Sequence, residues 1–270
     1  MTRSIAVLIV AVVIVISGCE PAENMRTDFL APRYIQQAEA RVRELPRDPD
    51  AAIHALDRAL ALMPDDLDLQ LRAARVYTMA RAWESAIVLF EAQEDLHTRD
   101  RVAYAHCLLQ SGREKRGAQI ALQVIDDANR RREQGIIGRF EWALYLNDAG
   151  YILADADTQI EHAHPAVTQA AEAYPLQAAF VDSRGWALYR MGELMDAAFY
   201  LERARRLSDR DDPEILYHLG VVYSRLDRYG DAYEVLKRAQ ELDPTWDPIT
   251  EKLRRLGRIL PPPALAALPS

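Results

Sequence analysis

Two hydrophobic patterns divide the chain. Ile5 to Ile16 is an unbroken apolar run of twelve residues behind a single basic residue, Arg3. As a helix at 1.5 Å per residue it spans about 18 Å, short of the roughly 30 Å bilayer core. That length with a positive flank matches the apolar segment of a secretory signal peptide. Further along, apolar positions recur with helical spacing, and small residues return at a fixed interval. Gly150, Gly185 and Gly220 are separated by 35 and 35 residues. Downstream of each comes a small residue (Ala163, Ala197, Ala232), then an aliphatic one four later (Val167, Leu201, Leu236), then Ala170, Ala204 and Ala239. Pro175 and Pro244 close the first and third units, with Asp209 at the matching place in the second. The pattern predicts helix hairpins. Two antiparallel helices approach closely only where small side chains face each other, so Gly220 and Ala232 mark a crossing, and Pro244 ends the unit because proline cannot continue a helix.

The last unit, with Leu216, Leu219, Gly220, Tyr223, Ala232, Leu236, Ala239 and Pro244, resembles the tetratricopeptide repeat (TPR). The likeness covers residues 33–245, strongly from 142 onward and loosely before. Among the looser copies, Leu67 to Thr98 carries Ala73, Ala74, Tyr77, Ala86 and Phe90, while Thr98 to Asn129 has Gly117 where alanine is usual. The resemblance implies an all-α fold, a right-handed superhelix of about six helix pairs with a C-terminal capping helix. Arg130-Arg131-Arg132-Glu133-Gln134-Gly135 interrupts the register. The division expected is therefore a first stack over 33–130, a hinge over 131–138 and a second stack over 139–245. A capping helix over 246–260 covers the last pair, as a terminal repeat must, and 261–270, opening on Pro261-Pro262-Pro263, forms a disordered tail.

The apolar run ends in Ile16-Ser17-Gly18-Cys19, which resembles the lipobox of bacterial lipoproteins, with Ile16 where leucine is commoner. The resemblance implies removal of 1–18 as a signal peptide, acylation of Cys19, and a lipidated tether over 19–32. Several acyl chains on one residue anchor durably where a single chain is marginal.

Composition narrows the rest. Gly is 11 of 270 and Ala 42, which favours helix. A net charge of −8 argues against nucleic acid, whose binding rests on neutralised phosphates. Two cysteines cannot build a disulfide framework or a four-thiolate zinc site, and Cys107 sits in an apolar stretch suited to a buried, inert thiol. His162 and His164 are two residues apart, which on a helix turns them to different faces, and no metal motif or glycine-rich phosphate loop occurs. No metal, cofactor, small-molecule substrate or catalytic residue is expected.

In a TPR solenoid the first helix of each pair lines the concave surface. Carried over by position, the resemblance puts Asn147 and Tyr151, Asp182, Trp186 and Tyr189, and Tyr217, Val221 and Ser224 in that groove. Aromatic rings there could grip an apolar peptide side chain and Asn147 could bind peptide backbone, or Trp186 and Tyr189 could simply pack on neighbouring helices. Of the Lys/Asn/Arg carboxylate clamp of chaperone-binding TPRs, only Asn147 has a counterpart, and Asp182 would repel an anionic peptide end. The expected function is a non-enzymatic, lipid-anchored scaffold. It would hold a protein or peptide in its groove at the cell or outer membrane, facing the periplasm. The alternative is a self-assembling structural envelope protein.

Overall fold

The computed structural model describes residues 20–45 and 47–259, so Cys19, the apolar run, Pro46 and residues 260–270 lie outside it. The described residues form thirteen helices and no strand: α1 (Glu20–Arg43), α2 (Pro49–Leu62), α3 (Leu67–Met79), α4 (Trp83–Glu91), α5 (Thr98–Gln110), α6 (Glu114–Glu133), α7 (Arg139–Asp155), α8 (Ile160–Ala173), α9 (Ala178–Met191), α10 (Leu194–Leu207), α11 (Pro213–Arg225), α12 (Tyr229–Leu242) and α13 (Asp247–Ile259). Local chemistry sets several boundaries. Asp48 and Asp66 accept from the amides of Ala51 and Leu69 at 3.1 and 2.9 Å, and prolines Pro49 and Pro213 occupy first-turn positions where a missing N–H costs nothing.

Consecutive helices pair from α1 with α2 through α11 with α12, and α13 packs on α12. Each first helix also touches the next first helix, from α1 through α3, α5, α7 and α9 to α11, so these six form a continuous row. This is the expected six pairs and cap. The glycines work as the spacing implies. A Cβ on Gly220 would lie 2.3 Å from Leu236 Cγ, one on Gly185 2.8 Å from Leu201 Cγ, and one on Gly150 2.8 Å from Val167 Cγ1. In the third pair the arrangement is reversed. Gly117 lies on the second helix, and a Cβ there would stand 2.9 Å from the Ala105 carbonyl on the first.

Two segments differ from expectation. Residues 20–32, expected as tether, belong to the single helix α1, and Ala31 and Ile35 are fully buried in the first core cluster. The apolar face of α1 thus begins before Arg33, and Pro32 is accommodated inside the helix. The expected hinge is a tight, packed turn. Gly135, at φ +70°, ends α6 with its amide on the Arg132 carbonyl, and the Ile136 amide bonds the Arg131 carbonyl, the paired bonds of a Schellman cap. Ile137 then enters a core cluster with Ala128, Ala143 and Leu146, so packing continues across the turn. Arg130 pairs with Asp127, and Arg131 donates to Thr98 at 3.1 Å, so two of the three arginines are engaged at the helix end.

The row of helices curls until its two ends meet. Asp243, fully buried after α12, accepts from Arg81 at 3.1 Å, Arg47 at 3.5 Å and Thr245 at 2.9 Å. The Arg81 guanidinium also lies 4.4 Å from the centre of the Trp246 ring. Turns of the first two pairs therefore grip the start of the cap.

Candidate functional site

The inner face of the row bears most of the expected groove residues, and the structure sorts them into two groups. Trp186 and Tyr189, a turn apart on α9, stack with ring centres 4.8 Å apart, and Trp186 also stacks on His218 of α11 at 4.1 Å. Tyr217 meets Trp186 at 6.3 Å and Trp246 at 4.7 Å. Arg190 lies 4.8 Å from the Trp186 ring centre and donates to the Asp155 carbonyl at 2.7 Å. Trp186 is nearly buried, its indole N–H without a partner. These rings pack on one another and on neighbouring helices. Val221 is buried in the same cluster, and Ser224 donates back to the Gly220 carbonyl at 2.6 Å.

Asn147, Tyr151 and Asp182 converge elsewhere. With Ser183, Ser208, Asp212, Glu214, Gln177, Ala178, Ala179 and Ile215 they line a cavity of about 350 Å³ between the amino-terminal parts of α9 and α11 and the middle of α7. The 35-residue repeat places them: one register position on successive first helices supplies Asn147 and Asp182, while Asp212 caps α11 through the Glu214 amide at 2.8 Å. The Tyr151 hydroxyl donates to the Glu214 carboxylate, and Asp182 faces His218 Nδ1 at 2.9 Å.

The polarity of this cluster is unusual for a helical core. His218 is 1% exposed. Burial opposes its charge, but Asp182, with Glu214 and Asp155 behind it, outweighs that and holds the imidazole above its ordinary range. Burial pushes the Glu214 carboxyl up, and raises the Tyr151 phenol far above its usual value with Glu214 adding to the effect. Asp148 is pushed up to about 6 by burial, tempered by the Asn147 amide that donates to it at 3.2 Å. The Asn147 amide oxygen has no partner.

Sequence reasoning found Asn147, Tyr151 and Asp182 but missed His218, Asp212 and Glu214. The signal was present: Asp182 lies three places before Gly185 and His218 two before Gly220, adjacent places on neighbouring first helices. Cys107 is buried as expected, its thiol beside the Thr78 hydroxyl at 3.2 Å and pushed up to about 11 by burial. Among the described residues no cluster of His, Cys, Asp and Glu is arranged to hold a metal, and no helix is long and apolar enough to cross a membrane.

Comparison with known proteins bears on the fold. Family models of the tetratricopeptide repeat match residues 46–100 and 183–245, and the chain carries TPR repeats in both stretches. A TPR repeat-containing protein of Pseudomonas aeruginosa is 41% identical over 78 residues, 29% of this chain and 13% of that relative, so the chain spans a small part of the relative it matches. The solved structure of PilW, described as a widely conserved type IV pilus biogenesis factor, is 16% identical and covers 84% of this chain and 98% of its own, with a TM-score of 0.53. PilF of Pseudomonas aeruginosa is 15% identical over 85% of this chain and 99% of its own, with a TM-score of 0.46. The helix pairs, the repeat matches and the likeness to PilW make the all-α TPR solenoid the fold of this chain.

Proposed function

We propose that this protein is a lipid-anchored scaffold of the bacterial cell envelope, held to the cell or outer membrane through acylated Cys19 and facing the periplasm. Its solenoid docks a segment of a partner protein. The observation that carries the docking role is the row of six first helices, whose inner face holds a lined cavity at Asn147, Tyr151 and Asp182 rather than a uniformly apolar core. Stacked helix pairs have a general use in binding extended protein segments, because curvature presents many side chains to one ligand. The anchor is supported by the twelve-residue apolar run and the Ile16-Ser17-Gly18-Cys19 sequence. Tethering raises the local concentration of the domain at the membrane and so strengthens an otherwise modest interaction.

Two measurements test the halves separately. Inhibition of lipoprotein signal peptidase is expected to accumulate a heavier precursor, and Cys19→Ser to release or misprocess the protein; unchanged mobility and membrane retention in both would remove the anchor. In-cell photocrosslinking from positions 177 and 179, at the cavity mouth, is expected to trap a discrete protein partner. Only self-crosslinked chain at both positions would favour self-assembly instead.

A further inference from the structure

We infer that the cavity between α7, α9 and α11 is a subsite for the side chain of a lysine or arginine on a docked partner segment. The inference rests on the scaffold reading and specifies the chemistry of its ligand. Three carboxylates line the cavity, from Asp182, Asp212 and Glu214, and no basic side chain does. His218 faces Asp182 from behind and offsets one of them.

The second observation is Asn147, only 6% exposed. Its amide nitrogen donates to Asp148 at 3.2 Å, and because an ionised carboxylate can only accept, that bond fixes which way the amide points. The amide oxygen, on a side chain that lines the cavity, is left with no donor. A buried acceptor without a donor is costly, and the hydroxyls of Tyr151, Ser183 and Ser208 in the lining already donate to Glu214, the Ala179 carbonyl and the Arg210 carbonyl. What is missing is a group rich in N–H donors and positive charge. An ammonium brings three donors and a guanidinium five, and neither accepts. An anionic chain end meets a lining of carboxylates whose one facing cation, His218, is already engaged by Asp182. A neutral amide could satisfy Asn147 but leaves the carboxylates uncompensated. Gln177 and Ala179 at the rim are exposed, so the cavity opens to solvent where α9 begins, and about 350 Å³ admits a long stem with its head.

The test is a chemical-shift titration of the isotopically labelled full chain in detergent. The probes are acetylated, amidated Ser/Gly octapeptides carrying one central Lys, Arg, norleucine or Glu, with a fifth peptide that has a free amino terminus and no basic side chain. Lys and Arg peptides are expected to bind at least tenfold more tightly than norleucine, with shifts centred on Asn147 and Asp182 and an affinity that falls with added salt. Asn147→Leu removes the orphaned oxygen without adding charge. It should weaken Lys and Arg binding tenfold or more while leaving thermal stability equal or higher, the reverse of what a purely structural asparagine would give. Equal binding of Lys and norleucine peptides, or Lys binding indifferent to Asn147→Leu, overturns the subsite. Preference for the free amino terminus over Lys also overturns it. None of these touches the scaffold reading, which fails only if the crosslinking above traps no partner.

Discussion

At the residue scale, small groups at helix crossings and a few buried charges carry disproportionate weight. Gly220→Ala gains helix propensity of roughly 1 kcal/mol but thrusts a methyl to 2.3 Å from Leu236 Cγ, inside a fully buried contact. Overpacking of this kind costs about 1–3 kcal/mol, so the expected outcome is a lower melting temperature, partly restored when Leu236→Val is added; additive losses in the double variant would contradict it. The buried His218 and Asp182 pair makes a pH prediction. The folded imidazole titrates above its unfolded value, so its contribution is complete below about pH 6.5 and is lost as pH rises through the folded value. Stability in chemical denaturation should therefore decline as pH rises above about 6.5, by about 1.4 kcal/mol for every pH unit by which the folded imidazole is lifted above its unfolded value. His218→Gln should flatten that decline, and a wild-type curve already flat over this window would refute the assignment. The crossing glycines were legible because they recur every 35 residues. The His218 pair left only the weaker trace of adjacent register places on neighbouring first helices, and a polar residue in a helical stretch reads as surface until its partner on the next helix is known.

At the element scale, the sequence marks helix starts better than helix extents. An aspartate followed by proline announces α2 and α11, and Asp66 announces α3 through its bond to the Leu69 amide. Replacing Asp66 by Ala should cost about 1 kcal/mol, because it orphans one of the free amides of the first turn, whereas Asp66→Asn should retain most of the stability. Thermal melts of the two variants decide it, and equal losses would mean that charge rather than capping is at work. The start of α1 was hidden because residues 19–32 follow the lipobox and read as tether, although Ala31 and Ile35 show that the buried face of α1 spans Pro32. The expected hinge went unrecognised as a turn for a related reason. A glycine after a basic helix end signals a stop, but only packing of Ile137 shows that the stop is rigid.

At the scale of the whole molecule, the curl is closed by contacts that leave no periodic trace in the sequence, for they join residues 196 and 162 positions apart. Arg81 carries the sharper argument. It adopts a left-handed backbone at φ +60°, as do Gly112 and Gly192 and also Asp157 and Asp227, which follow first helices in the same way. A non-glycine residue there costs roughly 1–2 kcal/mol, so glycine would be the favoured choice if the turn alone mattered. The Arg81 side chain offsets that cost through Asp243 and the Trp246 ring. Arg81→Gly thus relieves the backbone yet should still lower stability, while Asp243→Ala should cost about 2 kcal/mol, less than a fully buried pair because both arginines reach water at 28% exposure. In both variants the ends should part, raising the radius of gyration in small-angle scattering and making the chain at Arg47 more susceptible to protease. If Arg81→Gly were stabilising and left the scattering curve unchanged, the closure would be incidental contact. If it behaves as expected, the inner face is held in one curvature, and the cavity at Asn147 and Asp182 is presented to a partner already shaped rather than assembled on binding.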